Sequence, residues 1–222
     1  MRRSMAKASV YTALNLMFFA VIGTALLALT YDLTHDPIAR SEEKEKLKLV
    51  TQIVPAAAYD NDIIKDTAQL APDKLLGNDE TTIAYRGLLN DQPSIAVLQA
   101  IAPDGYSGKI HFIIAIYRDG RIGGVRVVSH HETPGLGDYI EMAKNSWITG
   151  FNGTSLENRK DSDWQVKKDG GAFDYMAGAT ITPRAMVKAV HKALQYFEAN
   201  RDKLFATPRP LKGESHGSDG KK

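Results

Sequence analysis

The sequence predicts an α+β fold: one N-terminal transmembrane helix followed by a single domain with antiparallel strands and flanking helices. An uncharged apolar run covers residues 13–31, and about 20 such residues cross the hydrocarbon core of a membrane. A helical pattern with one apolar face covers 183–205. Between them lie four runs rich in β-branched and aromatic residues, at 81–87, 94–102, 109–118 and 121–130.

The amino-acid composition excludes several classes of function. The chain has 222 residues, a formal net charge of +2 and no cysteine. Its basic residues are scattered rather than striped, so we predict no nucleic-acid partner. Without cysteine there are no disulfides, cysteine-ligated zinc, iron–sulfur clusters or thioether-linked haem, and any redox cofactor must be held by other groups. We predict no metal site.

Charge on either side of the apolar run predicts its orientation. Arg2, Arg3 and Lys7 precede the run, and the first basic residue after it is Arg40. The positive-inside rule therefore places the N-terminus in the cytoplasm and everything after the run on the other face. In a Gram-negative cell this is a single-pass inner-membrane protein with a periplasmic domain. A cleaved signal peptide is the alternative, although the run is longer than the usual apolar region of about 7–15 residues.

The remaining chain divides by composition. A charged helical pattern at 37–53, which Pro55 stops, forms either a solvated stalk or a docking helix. Residues 56–80 are loop-rich, and the sequence predicts no helix or strand there. The predicted organisation is a cytoplasmic N-terminus at 1–12, a transmembrane helix at 13–31, a connecting helix at 32–55, a domain at 56–206 and a disordered tail at 207–222.

Two local patterns follow the third strand. Asp119-Gly120 lies between two β-branched runs and predicts a β-hairpin over 109–130 with a type I′ turn. Residues 138–151 have a helical pattern, which Asp138 is placed to cap.

The loop between them, "SHHETPGLGDYIE", begins at Ser129. Pro134-Gly135 predicts a type II turn. The loop is either an ordinary connection or an anion site at a helix N-terminus, where free N–H groups are accessible.

A second glycine-containing loop, "DYMAGATITPRA", precedes the last helix. Thr182 is predicted as its N-cap with Pro183 at the first helical position. Thr180 has no such explanation. Gly178 and Ala179 leave the backbone around it open, so Thr180 is either a plain turn residue or a residue that carries a group.

Read together, the two loops resemble a known family. "HxETPGLG" after the "GYSGKI" strand, with "AGATIT" some forty residues later, resembles the FMN-binding domain of the Rnf electron-transport complex G subunit, which the C subunit of the Na⁺-translocating NADH:quinone reductase shares. The resemblance covers the N-terminal anchor and about 38–205. It implies FMN joined to Thr180 by a phosphoester that a separate flavin transferase makes from FAD. Asp174 matches the upstream acidic residue of that motif, and Ala177 departs from the family's Ser or Thr.

The resemblance also implies how the flavin is held. Gly178 and Ala179 directly precede the attachment point. The ring is expected against the "ETPGLG" loop, where Glu132 and Thr133 hydrogen-bond its edge. That loop contributes Gly135, Leu136 and Gly137. Which of His130 and His131 faces the flavin stays open, and Trp147 and Tyr175 are either stacking partners or core residues.

The implied function is an electron-carrier subunit of a membrane-bound ion-translocating oxidoreductase complex of the Rnf type, not catalytic alone. Its implied partners are other membrane subunits, the flavin transferase and the lipid bilayer. The G subunit is preferred because the chain is short, with the C-type subunit of the quinone reductase as the alternative. Two further alternatives are a membrane-anchored, non-redox ligand- or protein-binding module and an assembly subunit with a vestigial flavin site.

Overall fold

The computed structural model describes the backbone of residues 2–206 and the side chains of 10–35 and 48–206. The predicted tail at 207–222 lies outside the described residues. The chain forms two units, one ending at Lys46 and one beginning at Leu47.

Helix α1 (Arg2–Ile53) accounts for the first unit. Its segment Val10–His35 is long and apolar enough to cross a membrane by length and composition, and it contains the predicted run at 13–31. The helix continues without interruption through the predicted charged helix at 37–53. It ends two residues before Pro55, as the sequence predicts.

The second unit is built on one antiparallel sheet. Each strand pairs with the next along the chain, so the spatial order equals the sequence order. The four predicted strands are confirmed as β2 to β5. β1 lies within residues 56–80, for which the sequence predicts no helix or strand. The strands are β1 (Thr67–Leu70), β2 (Thr82–Leu89), β3 (Gln92–Gly105), β4 (Gly108–Tyr117) and β5 (Ile122–Ser129).

Alternation along the strands supplies two apolar faces. On β4, Phe112 and Ile114 enter the main core, which helix α2 (Ile181–Ala206) completes with its apolar side. Ile113 and Ala115 point to the opposite face and join a second cluster. α2 confirms the helix predicted at 183–205.

The second cluster explains what the end of α1 does. Val50 and Ile53 are buried there with Tyr85 and Ile113. At Gly124 of β5, an added Cβ would lie 3.0 Å from Cβ of Ile53, so the helix end packs closely on the sheet. The last turns of the connecting helix therefore dock on the sheet, as one of the two alternatives for this helix proposed.

The β4–β5 hairpin is confirmed, but its predicted type I′ turn is wrong. Gly120 has φ +88°, whereas Asp119 is not among the described residues with positive φ. The Gly120 N–H donates to the Tyr117 carbonyl at 2.9 Å, as in a type I turn followed by a left-handed glycine. Positive φ at two successive residues occurs instead at Asn90 and Asp91, between β2 and β3.

The single helix predicted over 138–151 is also wrong. Two 3₁₀ helices, Asp138–Ile140 and Ser146–Phe151, replace it. The cause is Asn145, whose backbone is extended and whose side chain accepts the Trp147 N–H at 2.8 Å, starting a new turn. Three further 3₁₀ helices cover Ala56–Ala58, Asp161–Asp163 and Lys167–Asp169.

Candidate functional site

Thr180 occupies the N-cap of α2. Its carbonyl accepts the Arg184 N–H at 3.3 Å, which is the first bond of the helix. The preceding turn closes through the Ala179 N–H and the Met176 carbonyl at 3.1 Å, with Gly178 at φ +86°. The chain therefore turns sharply just before Thr180 and presents this half-buried threonine where the first-turn N–H groups of α2 are unpaired.

The predicted capping role of Thr182 is wrong. Thr182 lies inside the first turn of α2 and is 1% exposed. Its hydroxyl donates a hydrogen bond to Oε2 of Glu132. Pro183, predicted at the first helical position, is the third, where its missing N–H still costs no intrahelical bond. Thr182 thus ties the helix start to the other loop.

Glu132 is the centre of this connection. The buried carboxylate accepts the Ser107 N–H, in the β3–β4 turn, at 3.0 Å on Oε1 and the Thr182 hydroxyl on Oε2. Glycine is required on two sides, because an added Cβ would lie 2.9 Å from Oε1 at Gly105 and 2.8 Å from Oε2 at Gly137. A hairpin turn, a loop and a helix N-terminus therefore converge on one carboxylate.

The predicted type II turn at Pro134-Gly135 is confirmed. The Leu136 N–H donates to the Thr133 carbonyl at 3.1 Å, and Gly135 has φ +76°. Asp138 does not cap a helix; its carboxylate accepts the Gly135 N–H at 2.8 Å and fixes the turn. Thr133, Gly135 and Leu136 are exposed, so the turn offers a bare backbone and an apolar side chain to solvent.

The two histidines differ in their surroundings. His131 is exposed. His130 is half-buried, with Nδ1 accepting the Glu132 N–H at 2.9 Å and Nε2 lying 2.8 Å from Glu141. This pattern places a proton on Nε2. His130 therefore belongs to the framework that holds Glu132.

Asp174, the first residue of the second loop, is held by Trp147. The Asp174 carboxylate is exposed and 2.5 Å from Nζ of Lys167, while its carbonyl accepts the indole N–H of Trp147 at 2.8 Å. Trp147 packs edge-on against Tyr139, with ring centroids 5.6 Å apart. Burial raises the pKa of Tyr139 to about 12, so its hydroxyl stays protonated at neutral pH. Tyr175 is 41% exposed.

These contacts show which predicted site residues the fold brings together. Glu132 and Gly137 meet the start of α2, beside Thr180, through Thr182. Neither Ser107 nor the bond between Thr182 and Glu132 is predicted from the sequence. The glycines at 105 and 108 indicate a turn, but its meeting with Glu132 depends on tertiary packing between distant strands.

A glycine turn and the N-terminus of α2 thus meet at Glu132, in a domain that follows an apolar helix long enough to cross a membrane. Residues 105–195 match the family described as the FMN-binding domain, and residues 1–53 match the RnfG N-terminal region. The class is therefore that of FMN-binding-domain proteins.

The relatives identify the family within that class. The G subunit of the ion-translocating oxidoreductase complex of Pseudomonas aeruginosa is 48% identical over 205 residues, which cover 92% of this chain and 94% of that one. The G subunit of the same complex in Aliivibrio fischeri is 43% identical over 197 residues, covering 89% and 94%. The chain belongs to the family of ion-translocating oxidoreductase complex G subunits, which confirms the resemblance. The crystal structure of Shewanella oneidensis NqrC aligns with a TM-score of 0.45 and 22% identity, covering 68% of this chain and 74% of that one.

Proposed function

We propose that this protein is an electron-carrier subunit of a membrane-bound ion-translocating complex and that it holds FMN by a phosphoester on Thr180. The observation that carries the proposal is the N-cap position of Thr180, between a positive-φ glycine and the free N–H groups of α2, within the segment that matches the FMN-binding domain. Electron transfer is the chemistry that FMN supplies when bound.

The first turn of α2 fits a phosphate. The N–H groups of Ile181 and Thr182 have no intrahelical acceptor at this end of the helix, and the helix dipole is positive there. A phosphate on the Thr180 oxygen would lie within reach of both groups. Gly178 has no atom within 4 Å of an added Cβ, so its backbone leaves the approach to Thr180 open.

Two exposed apolar side chains fit a flat ring. Leu136 is 47% exposed and Ile181 is 46% exposed. Leu136 directly precedes Gly137, and Ile181 directly precedes Thr182. Gly137 and Thr182 are neighbours, because an added Cβ at Gly137 would lie 3.0 Å from the Thr182 hydroxyl oxygen. We infer that the ring lies across Leu136 and Ile181 and covers the bare backbone at Gly135. In this arrangement Glu132 positions the loop that carries Leu136 and the start of α2 that carries Ile181. It does not itself hydrogen-bond the ring, unlike the role that the resemblance implies.

We infer the cellular arrangement from charge and family. α1 anchors the chain in the lipid bilayer of the inner membrane, and the basic residues before the apolar run favour a cytoplasmic N-terminus with the domain in the periplasm. The relatives are named as subunits of an ion-translocating oxidoreductase complex. Other membrane subunits are therefore the proposed electron donor and acceptor, and a flavin transferase is the partner that loads FMN.

The test compares two threonines in full-length protein made together with a flavin transferase. Thr180→Val keeps the shape of the side chain but removes the oxygen, so flavin fluorescence in a denaturing gel is expected to disappear. Thr180→Ser keeps the oxygen and is expected to retain flavin. Thr182→Val is the control, because its hydroxyl is committed to Glu132, and it is expected to keep flavin. Flavin that survives Thr180→Val in the gel would disprove the attachment.

A further inference from the structure

A cleft of about 700 Å³ lies beside the segment that leads to Thr180 and is lined by residues that the proposed flavin contact does not use. Its walls come from the 3₁₀ helix Ser146–Phe151, from Tyr139 and from residues 172–177. The volume is within the range of about 300–1,000 Å³ that is usual for small-molecule sites.

The aromatic wall of the cleft is held in place by contacts within the domain. Trp147 donates its indole N–H to the Asp174 carbonyl at 2.8 Å and packs edge-on against Tyr139 and Phe151. Phe173 packs on Phe151 with ring centroids 4.7 Å apart. The wall is therefore fixed before any ligand arrives, which lowers the entropic cost of binding.

The cleft also carries a cation. Cζ of Arg159 lies 4.9 Å from the ring centroid of Phe173, and no carboxylate in the described part of the chain forms an ion pair with it. Among the described residues that line the cleft, Asp174 is the one carboxylate, and Lys167 neutralises it at 2.5 Å. The cleft thus combines aromatic surface with an available positive charge.

We propose that this cleft is a second binding site, for a planar heteroaromatic group that carries a negative charge. The partly exposed ring of Trp147 and the exposed ring of Tyr175 suit a flat ring, and the buried Phe173 supports them from below the surface. The guanidinium of Arg159, already stacked on Phe173, presents a planar set of donors that pairs with a phosphate or carboxylate. The site is separate from the flavin contact at Leu136 and Ile181 and stays open when flavin is attached.

The experiment uses full-length protein in detergent, carrying Thr180→Val and checked by visible absorbance to hold no flavin. The probes are AMP, which has a ring and an anion, adenosine, which has only the ring, and inorganic phosphate. Equilibrium dialysis measures binding, and quenching of Trp147 fluorescence is the second readout, with Trp147→Phe to assign the signal. We expect saturable AMP binding and about tenfold weaker binding of adenosine.

Arg159→Gln is expected to weaken AMP binding about tenfold, to the level of adenosine, and to leave adenosine binding unchanged. Arg121→Gln is the matched control, because Arg121 is exposed and pairs with Asp119 in the β4–β5 turn. It is expected to change nothing. Unaltered melting temperatures for both variants show that the fold is kept.

Three results with the flavin-free protein would overturn the proposal. They are no saturable binding of AMP, equal AMP binding by the Arg159→Gln and unsubstituted proteins, or binding of phosphate as tight as that of AMP. Flavin-loaded protein with Thr180 intact is expected to bind AMP equally well. Loss of AMP binding there would show that the attached ring fills the cleft, and the separate site would be disproved. Because the main measurements use flavin-free protein, their outcome does not depend on the proposed attachment at Thr180.

Discussion

The hydrogen bond between Thr182 and Glu132 is expected to be a major contributor to the stability of the site. Thr182→Val keeps the volume of the side chain but leaves Oε2 of a buried carboxylate without its hydroxyl donor. Hydrogen bonds to charged groups contribute about 1.5–3 kcal/mol. For a domain of this size, a loss of about 2 kcal/mol lowers the melting temperature by about 4–8 °C.

A double-mutant cycle separates this bond from a capping role. Glu132→Gln retains an oxygen for the Ser107 N–H and an amide for the Thr182 oxygen, so it is expected to cost only about 1 kcal/mol. The effect of Thr182→Val is then expected to shrink in the Glu132→Gln background, with a coupling energy of about 1 kcal/mol. If Thr182 acted as a cap, its loss would be independent of Glu132.

The assay is urea or thermal unfolding of the full-length chain in detergent, followed by the fluorescence of its two tryptophans. Thr182→Ser, which keeps the hydroxyl, is expected to unfold close to the parent protein. Thr133→Val is the exposed control and is expected to change stability by less than about 0.5 kcal/mol. Equal unfolding of the Thr182→Val and Thr182→Ser proteins, together with strictly additive effects in the cycle, would refute the reasoning.

Three further predictions concern a glycine pair, a half-buried histidine and the membrane orientation. Gly137→Ala is expected to lower the free energy of unfolding by about 1–3 kcal/mol, because its Cβ would lie 2.8 Å from the Glu132 carboxylate. Gly135→Ala places its Cβ in open space and is expected to cost only the strain of the positive φ, about 1–2 kcal/mol. Urea unfolding of both variants measures the two losses. Burial lowers the pKa of His191 below its ordinary value of 6.5. As the pH falls below 6.5, this histidine is therefore protonated in the unfolded chain before it is protonated in the folded one. The parent protein is expected to lose stability relative to His191→Asn as the pH falls from 7.5 to 5. Reporter fusions after Arg40 are expected to read as periplasmic, and a cytoplasmic readout would overturn the proposed orientation.

Local signals in the sequence predicted most of the second unit. Four strands and α2 follow from period-two and helical patterns, and those patterns agree with the faces that the two cores bury. The turn at Pro134-Gly135 was predictable because a type II turn requires a residue with positive φ at its third position. The failures occurred where a side chain competed with the backbone, as Asn145 does in the region predicted as one helix.

The assignment of the two threonines failed for a different reason. A Thr-Pro pair at the start of a helix is a strong local indication of an N-cap, and Thr180 had no comparable local signal. The buried carboxylate of Glu132, fifty residues away in sequence, draws Thr182 inside the first turn. The helix then begins one residue after Thr180, which no local pattern reveals. Tertiary hydrogen bonding therefore decided which threonine became the cap.

This shift in register has a consequence for the proposed attachment. An N-cap side chain normally accepts a hydrogen bond from the N–H of the second or third helical residue. At α2 the third residue is Pro183, which has no N–H, and the hydroxyl of the second, Thr182, is turned inward to Glu132. The ordinary capping interaction of Thr180 is thus limited to one N–H group. A phosphate on the same oxygen brings further acceptors and negative charge to this helix end, where the dipole favours them. The same Glu132 contact that removes Thr182 from the cap therefore leaves the helix N-terminus to Thr180 and to the group that we propose it carries.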